Sequence, residues 1–458
     1  MFEIATIDNR MTPRIKSEFP LKLGKQCARS INLNDDGLCF VTMQQLKSSR
    51  LSGDLKLPYG KVHIKFNIIW EREISKEWKY VYGAKYEDID IEILNLIRKS
   101  LIFRKFKDVI REVKNKNERR QVKIFSKYVL QYFFDLFELM NKIAHNMIEE
   151  TEAERLLHSL TEDIMEKANE FENSVSNKIV VRRIKKEFRE LVSCWAYKSY
   201  IVKRSYDKPR GYPGDYRIME HIYDTKVLSK GIGRCFDVYF QNNKYAVAVR
   251  SRKDWMRDYL KTFILNTPLK KVRILNIACG SGKEIRELFH DAHFLQKIKD
   301  NGKEIIINLL DQDSEAVLFT RGAVEKFSSY ASFNYFKNDV LEFITNGANF
   351  SKIIGENDLV YTTGLMDYLP DRISGKLLNI WFDKYVAEAG RLIIAHKDTL
   401  KYKPLPPNWF CDWNFYFRAR KNLDDLIKKS LQARKINVDV HRDKSGIILF
   451  FIIRKEII

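Results

Sequence analysis

Apolar and polar residues divide the chain into three zones of different rhythm. Up to about residue 95 the apolar positions come in short runs: "KQCARSINL", "GLCFVTM", "GDLKLP", "KVHIKFNIIWERE" and "KYVYGAKYE". Such runs, separated by Gly and Asn-Asp turn signals, predict strands, and their regular spacing predicts a small antiparallel β-barrel. From about 88 to 205 the repeat lengthens to that of an amphipathic helix, as in "KYVLQYFFDLFELMNKIAHNMIEE" and "TEAERLLHSLTEDIMEKANEFENSV". From about 270 onward strands and helices alternate, the pattern of a parallel sheet with helices on both faces. The connector "SYDKPRGYPGDYRIME" carries too much Gly and Pro for either element. The expected fold class is multidomain α/β, with limits at 1–95 for the barrel, 96–205 for a helical middle region and 206–458 for the sheet.

Composition narrows the classes. At 458 residues, 45% hydrophobic and 31% charged, the chain has the balance of a globular protein of two or three domains. The start "MFEIATIDNRMTPR" lacks the basic and apolar regions of a signal peptide. No apolar run approaches the roughly 20 residues that span a bilayer, so no transmembrane segment is expected, and the cysteine usage described next sets the expectation of a cytoplasmic location. Six scattered cysteines without a C-x-x-C pair predict reduced thiols, with neither zinc nor a disulfide framework. "HDAH" at 290–293 spaces two histidines one helical turn apart, yet no third ligand accompanies them, so no metal is expected. The net charge of +21 suits nucleic acid, an anionic membrane or an anionic small ligand. It is densest in "IRKSLIFRKFKDVIREVKNKNERRQVK", which reads as a solvated helical face. No nucleic-acid-binding motif accompanies it, so nucleic acid is not an expected partner. The sequence says nothing about oligomeric state.

Chemistry concentrates in the last zone. "ILNIACGSGKEI" reads as a buried strand, a glycine-containing turn and a helix, an arrangement that brings backbone N–H groups to a nucleotide. A dinucleotide fingerprint has three glycines; here the first is Ala278 and the third is missing, so Gly280 alone keeps that spacing and Gly282 falls outside it. The next strand, "KEIIINLLDQD", ends on Asp311, 29 residues after Gly282, where a carboxylate accepts from ribose hydroxyls in either cofactor class. The end of the chain separates the two. "INVDVHRDKSGIILFFIIRK" reads as a hairpin that inserts an antiparallel strand, the usual finish of a methyltransferase sheet. S-adenosylmethionine is therefore the expected cofactor. Asn276, Ala278, Cys279, Gly280 and Gly282 would cradle it from the first strand, Asp311, Gln312 and Asp313 from the second, and Asp339 and Gly364 from the next two.

At these residues the sequence resembles a known family. "KPRGYPGDY…MEHIYD", "AVAVRSRKDW", "LNIACGSGKEIREL", "LLDQDSEAV", "VYTTGLMDYLPDRIS" and "DWNFYFRARKNL" stand in the order of the methyltransferases that make the 3-hydroxypalmitic acid methyl ester extracellular factor, a bacterial signal. The resemblance covers roughly 200–458. It implies a Rossmann-like methyltransferase domain with an antiparallel last strand, methylating the carboxylate of a 3-hydroxy or plain fatty acid. It also marks Tyr206, Arg210, Tyr212, Gly214 and Asp215 of the connector, with Asp367, as a lid over the cofactor and substrate.

Methylating a carboxylate needs little base catalysis, because the nucleophile is already ionised at neutral pH. The demands are alignment and exclusion of water. Tyr368, His396 and Arg418 are the candidate catalytic residues, with Arg420 a second cation in "FYFRAR". The aromatic run "NWFCDWNFYF" is either core or the wall of an apolar tunnel. Two other readings stay open: a methyltransferase acting on a protein or metabolite carboxylate, and a non-catalytic regulator with a vestigial methyltransferase fold.

The first zone carries its own motif pair. Arg10-x-x-x-Arg14 is followed by "NLNDDG", which runs Asn32-x-Asn34-x-x-Gly37. Two guanidiniums on an arm can hold phosphate and guanine edges, and a polar turn on a barrel can meet a second base. The pair resembles the R-x-x-x-R and [D/N]-x-S-x-x-G motifs of PilZ domains, with Asn34 in place of serine. That resemblance implies cyclic di-GMP as a regulatory ligand held by Arg10, Arg14, Asn32, Asn34 and Gly37.

Overall fold

A computed structural model of the chain describes residues 15–16, 18–34, 36–74, 78–345 and 347–455. They fall into two compact units, each assembled from more than one stretch of chain.

The first unit comprises Met1–Lys203, Leu228–Tyr239 and Trp409–Cys411. Its strands are β1 (Ile15–Lys16), β2 (Pro20–Leu23), β3 (Gln26–Leu33), β4 (Gly37–Thr42), β5 (Arg50–Leu57), β6 (Gly60–Glu73) and β7 (Tyr80–Glu87). Six of them close antiparallel in the order β3-β2-β5-β6-β7-β4 and back to β3, while β1 adds to β3 outside the ring. The alternation read from the sequence points Leu21, Leu23, Leu55, Leu57, Val62, Ile64 and Phe66 inward. Phe40 fills the middle, its ring 5.4 Å from Phe66 and 5.3 Å from Tyr82.

Four helices follow: α1 (Ile91–Glu112), α2 (Lys116–Ala144), α3 (Glu150–Ser174) and α4 (Lys178–Ala196). Asp90, Asn115 and Asn177 cap α1, α2 and α4 by accepting first-turn N–H groups. The single helix expected through "KYVLQYFFDLFELMNKIAHNMIEE" is broken: α2 stops at Ala144, Asn146 turns left-handed (φ 53°), and α3 starts at Glu150. Asn tolerates that conformation better than most residues, which is why the break falls there. Glu118 on α2 accepts from the N–H groups of Ser176 (2.9 Å) and Asn177 (3.1 Å) and from the Ser176 hydroxyl (2.7 Å), and so pins α2 to the start of α4.

The second unit comprises Arg204–Val227, Phe240–Asn408 and Asp412–Ile458. Between α4 and its sheet run α5 (Tyr200–Asp207), α6 (Tyr216–Tyr223), α7 (Ile232–Asn242) and α8 (Lys244–Asn266). The sheet contains β8 (Lys271–Ile277), β9 (Glu304–Asp311), β10 (Ser332–Lys337), β11 (Asn357–Thr362), β12 (Val386–Lys397), β13 (Ile436–Arg442) and β14 (Ile448–Lys455). Its order is β10-β9-β8-β11-β12-β14-β13; the first five strands are parallel, and β14 runs antiparallel to both its neighbours. The central strands are buried on both faces, as parallel strands covered by helices must be. Three helices matter below: α9 (Lys283–Phe289), α10 (Ala292–Asp300) and α11 (Ser314–Val324). Strand order reverses between β8 and β11, which places the ligand crevice at their carboxyl ends. Among the described residues no helix is long and apolar enough to cross a membrane.

Candidate functional site

A cavity of about 360 Å³ opens at the carboxyl ends of β8, β9, β10 and β11. Strand β8 enters it through the turn Ala278–Gly282, left-handed at Ala278 (φ 58°), Gly280 (φ 55°) and Gly282 (φ 57°). At Gly282 a Cβ would also sit 2.8 Å from Thr320 Cγ2 on α11, so conformation and space both require glycine. The turn is fastened to β9. One oxygen of Asp311 accepts the Gly280 N–H at 2.8 Å, and the other accepts the Asp313 N–H at 2.9 Å. Burial pushes the Asp311 carboxyl up, against the pull of those N–H groups.

Ala278, Cys279, Gly280, Asp311, Gln312, Asp339 and Gly364 all line this cavity. Asn276 lies buried, its amide donating to Glu284 Oε1 at 2.9 Å. Asp313 caps α11 by accepting the Glu315 N–H at 2.9 Å. Of the connector, Tyr212 and Gly214 line the cavity. Arg210 pairs with Asp313 at 3.1 Å and Glu315 at 2.5 Å. Asp215 caps α6 and pairs with Arg204 at 2.7 Å. Gly214 presses against Trp413, where a Cβ would fall 2.5 Å from the ring. Burial drives the Tyr212 phenol up, and Asp311 and Asp313 add to it. Tyr206 is exposed and outside the lining.

Tyr368 reaches the cavity; its hydroxyl accepts from Trp413 Nε1 at 2.9 Å, and burial pushes its phenol up. Asp367, His396 and Arg418 do not line the cavity. They form a buried charge cluster with Lys397, whose Nζ is 3.0 Å from Asp367. His396 Nδ1 meets the Lys397 carbonyl at 2.7 Å, and Nε2 faces Arg418 Nη1 at 3.2 Å. A ring donating at Nδ1 and accepting at Nε2 is neutral, in keeping with burial holding its pKa below the usual value. Burial likewise lowers Lys397 to about 8, against the pull of Asp367. Arg418 donates to the carbonyls of Met366 (2.7 Å) and Leu369 (2.5 Å) and to Asp371 (2.8 Å), so its guanidinium fixes the segment after β11. Arg420 is exposed and pairs with Asp424 at 3.6 Å.

Among the lining residues that the sequence did not mark are Tyr223, Tyr245, Arg252 and Glu284. Arg252 belongs to the run "AVAVRSRKDW", and its one signal was a cation where the helix pattern wants an apolar residue. Glu284 follows the glycine turn directly, so its backbone position was visible but its inward side chain was not.

On the barrel, Asn34 is buried; its Oδ1 accepts the Gly37 N–H at 3.1 Å and its amide donates to Asp36 at 3.2 Å. It holds the turn into β4. Asn32 lies at a bulge between β3 and β4, and its Oδ1 is buried without a hydrogen-bond partner among the described residues. Arg10 and Arg14 lie outside the described residues.

No protein-family model and no curated protein matches the chain. Among solved structures it is similar to a possible exported protein from Bordetella parapertussis, at 13% identity and TM-score 0.40, over 73% of this chain and 97% of the other. It is also similar to magnesium protoporphyrin IX methyltransferase from Synechocystis with bound SAH, at 12% identity and TM-score 0.35, over 56% and 99%. A third likeness is to the N-methyltransferase NodS from Bradyrhizobium japonicum in complex with S-adenosyl-L-homocysteine, at 13% identity and TM-score 0.31, over 45% and 88%.

Proposed function

We propose that this chain is an S-adenosylmethionine-dependent methyltransferase that esterifies the carboxylate of a 3-hydroxy or plain fatty acid, under the control of cyclic di-GMP on its barrel. The observation that carries the cofactor is the joined turn and carboxylate, Gly280 N–H on Asp311, beneath a cavity at the switch point of a sheet with an antiparallel seventh strand. The residues present fit that cofactor: a left-handed glycine turn offers backbone N–H groups, Asp311 stands at the ribose position, and Asp339 lies one strand further along. The cofactor supplies an electrophilic methyl on a positively charged sulfur.

What the chain itself does follows from its side chains. The Cys279 thiol and the Tyr245 and Tyr368 phenols that line the cavity are pushed up by burial, so none of them is a base at neutral pH. Asp311, Glu284 and Asp339 are occupied in accepting backbone or side-chain donors. A site of that kind favours an acceptor that arrives ionised, and a carboxylate does. Tyr245 and Tyr368 line the cavity and are backed by Trp413 and Phe415 in one aromatic cluster, with ring centroids 5.4–5.9 Å apart, which keeps that side of the cavity apolar. The connector Tyr206–Asp215, strapped by Arg210 to Asp313 and Glu315, serves as the lid.

Regulation rests on the motif pair, Arg10 and Arg14 with the Asn32–Gly37 turn, and on the open acceptor of Asn32. The test is methyl transfer from labelled S-adenosylmethionine to a panel of fatty acids, with label counted in the organic phase and the assay repeated with cyclic di-GMP. Label in the ester of one chain length supports the reading, and a change in rate with the messenger supports its control. Cofactor binding without organic label would remove the lipid acceptor.

A further inference from the structure

Helix α8 serves two separate spaces. Tyr245 and Arg252 line the cavity at the strand ends, whereas Lys244, Val247, Ser251, Trp255, Tyr259 and Thr262 line another, and the two share no lining residue. Steps of three and four residues put the second set on one stripe of the helix. His441 of β13, with Lys444 and Ser445 of the β13–β14 turn, completes that wall. The second space is a trough made of two hollows, about 570 and 590 Å³, that meet at Val247 and Ser445. Lys244 and Thr262 mark its ends on α8, about 27 Å apart along the helix axis.

Its middle is aromatic and held from behind. Trp255 stacks on the buried ring of Phe450 at 3.7 Å between centroids, and Tyr259 stacks on Trp255 at 5.2 Å. The Tyr259 hydroxyl accepts from Arg391 Nη1 at 2.9 Å, which fixes that ring. Val247, 41% exposed, continues the apolar strip toward Lys244.

Charge is sorted along the trough. The hollow with Lys244 also carries Lys401 and Arg442 and has no carboxylate in its lining; Lys444 stands in the adjoining one. All four cations are exposed. Among the described residues Lys244, Lys401 and Lys444 form no ion pair, and Arg442 pairs with Asp398 at 2.9 Å. The carboxylates of the lining, Asp254 and Asp258, lie toward Thr262, and Arg257 takes up both, at 2.9 and 2.8 Å. Arg250, one turn before Asp254, donates to the carbonyls of Ile222 (3.2 Å) and Gln241 (2.9 Å). One end of the trough therefore holds positive charge that the chain does not neutralise, and the rest is apolar or already paired.

A compact polar metabolite would leave most of such a trough empty, and an uncharged chain would make no use of its lysines. We propose that the trough binds a long-chain carboxylate as a single molecule, its head among Lys244, Lys401 and Lys444 and its chain along Val247, Trp255 and Tyr259. With Arg442 held by Asp398, the head site offers lysine charges without a guanidinium fork, which is enough for a singly charged group. The trough is a place apart from the methyl-transfer cavity, and its assignment stands whether or not the chain transfers methyl groups.

The experiment is calorimetric titration of the full-length protein with hexadecanoate, hexadecanol, hexadecyl phosphate and hexadecyltrimethylammonium. The wild type is compared with Val247→Asp and with Lys244→Glu/Lys401→Glu, each checked for a native melting transition. The wild type should bind hexadecanoate, and the three other amphiphiles more weakly. Val247→Asp sets a carboxylate in the apolar strip and should weaken hexadecanoate by about 10-fold or more. The double variant should weaken it by about 5- to 20-fold. Where titration shows two classes of hexadecanoate site, these losses fall on one class, and the other, unaltered, belongs to the methyl acceptor. Unchanged hexadecanoate binding in both variants would overturn the inference, as would equal affinity for hexadecanol or tighter binding of hexadecyl phosphate. So would binding only to vesicles of anionic phospholipid, which would make the trough part of a bilayer-facing surface. Self-association that Val247→Asp abolishes, with no effect on hexadecanoate, would overturn it too and put a second copy there. S-adenosylhomocysteine affinity should change by less than about twofold in both variants. A wild type that fails to bind it removes the methyltransferase reading and leaves the trough intact.

Discussion

Asp311 accepts the Gly280 N–H at 2.8 Å, so the tip of the second parallel strand holds the turn that leaves the first. The same carboxylate accepts the Asp313 N–H at the entry to α11. Asp311→Ala strands one buried N–H group, of Asp313, and one part-buried, of Gly280, and a buried loss of this kind costs roughly 1–3 kcal/mol. S-adenosylhomocysteine affinity should fall by more than tenfold in that variant, and by less in Asp311→Asn, which keeps one acceptor. Unchanged calorimetric affinity in the alanine variant would separate this carboxylate from the ligand.

Ala278 holds a left-handed backbone (φ 58°) where a dinucleotide-type turn has glycine. A side chain in that region costs about 1–2 kcal/mol. Ala278→Gly should therefore recover stability of about 1 kcal/mol, reduced by the entropy that glycine adds to the unfolded chain. Urea unfolding measures it. A variant less stable than the wild type would mean that the methyl group's contacts outweigh the strain.

His396 gives a pH dependence with a definite sign. Burial holds its pKa below the ordinary 6.5, so the folded ring stays neutral where the unfolded chain takes up a proton. The stability it contributes is present above about pH 6.5 and is lost as pH falls toward the folded value. His396→Gln keeps a donor for the Lys397 carbonyl and an acceptor for Arg418, but does not titrate. Between pH 7 and 5 the wild type should lose more thermal stability than this variant. Parallel melting curves would refute the neutral assignment.

Glu118 joins three donors at the start of α4. Glu118→Ala leaves two backbone N–H groups and a hydroxyl without their acceptor, and should destabilise by about 2 kcal/mol. Glu118→Gln, which keeps the acceptor oxygen without its charge, should lose less. The reverse order in denaturant titration would contradict the capping role.

The fold was legible because its signals are periodic. Strand alternation announced the barrel, and the final hairpin announced the antiparallel end of the sheet, since both depend on apolar positions that must face a core. The turn residues Gly280 and Gly282 and the strand-end Asp311 could be read for a similar reason: chain position after a strand fixes where they point. Arg252 had no such mark. A cation inside a long helix shows its direction only once the helix is packed, and the same holds for Tyr223 and Tyr245. The break at Asn146 was hidden because apolar spacing continues across it, and one left-handed residue ends the helix without disturbing that spacing. Arg418 shows the opposite limit. The sequence offered Arg418 only as a candidate anchor cation, and three-dimensional packing shows its donors directed to Met366, Leu369 and Asp371.

The first unit draws on three stretches of chain, and its small contributions are not ornamental. Trp409 is fully buried among Phe125, Phe171 and Phe188 and donates to Glu172 at 2.8 Å. Asp237 accepts from the Ser199 hydroxyl at 2.5 Å and from the N–H groups of Leu228 and Ser229. A chain cut near residue 205 would lose both. One cut in the chain therefore does not separate the first unit whole from the second. An exchange of the chain at a single point would leave the first unit without Trp409 or without the Leu228–Tyr239 stretch, so this unit travels intact only with the chain that follows it.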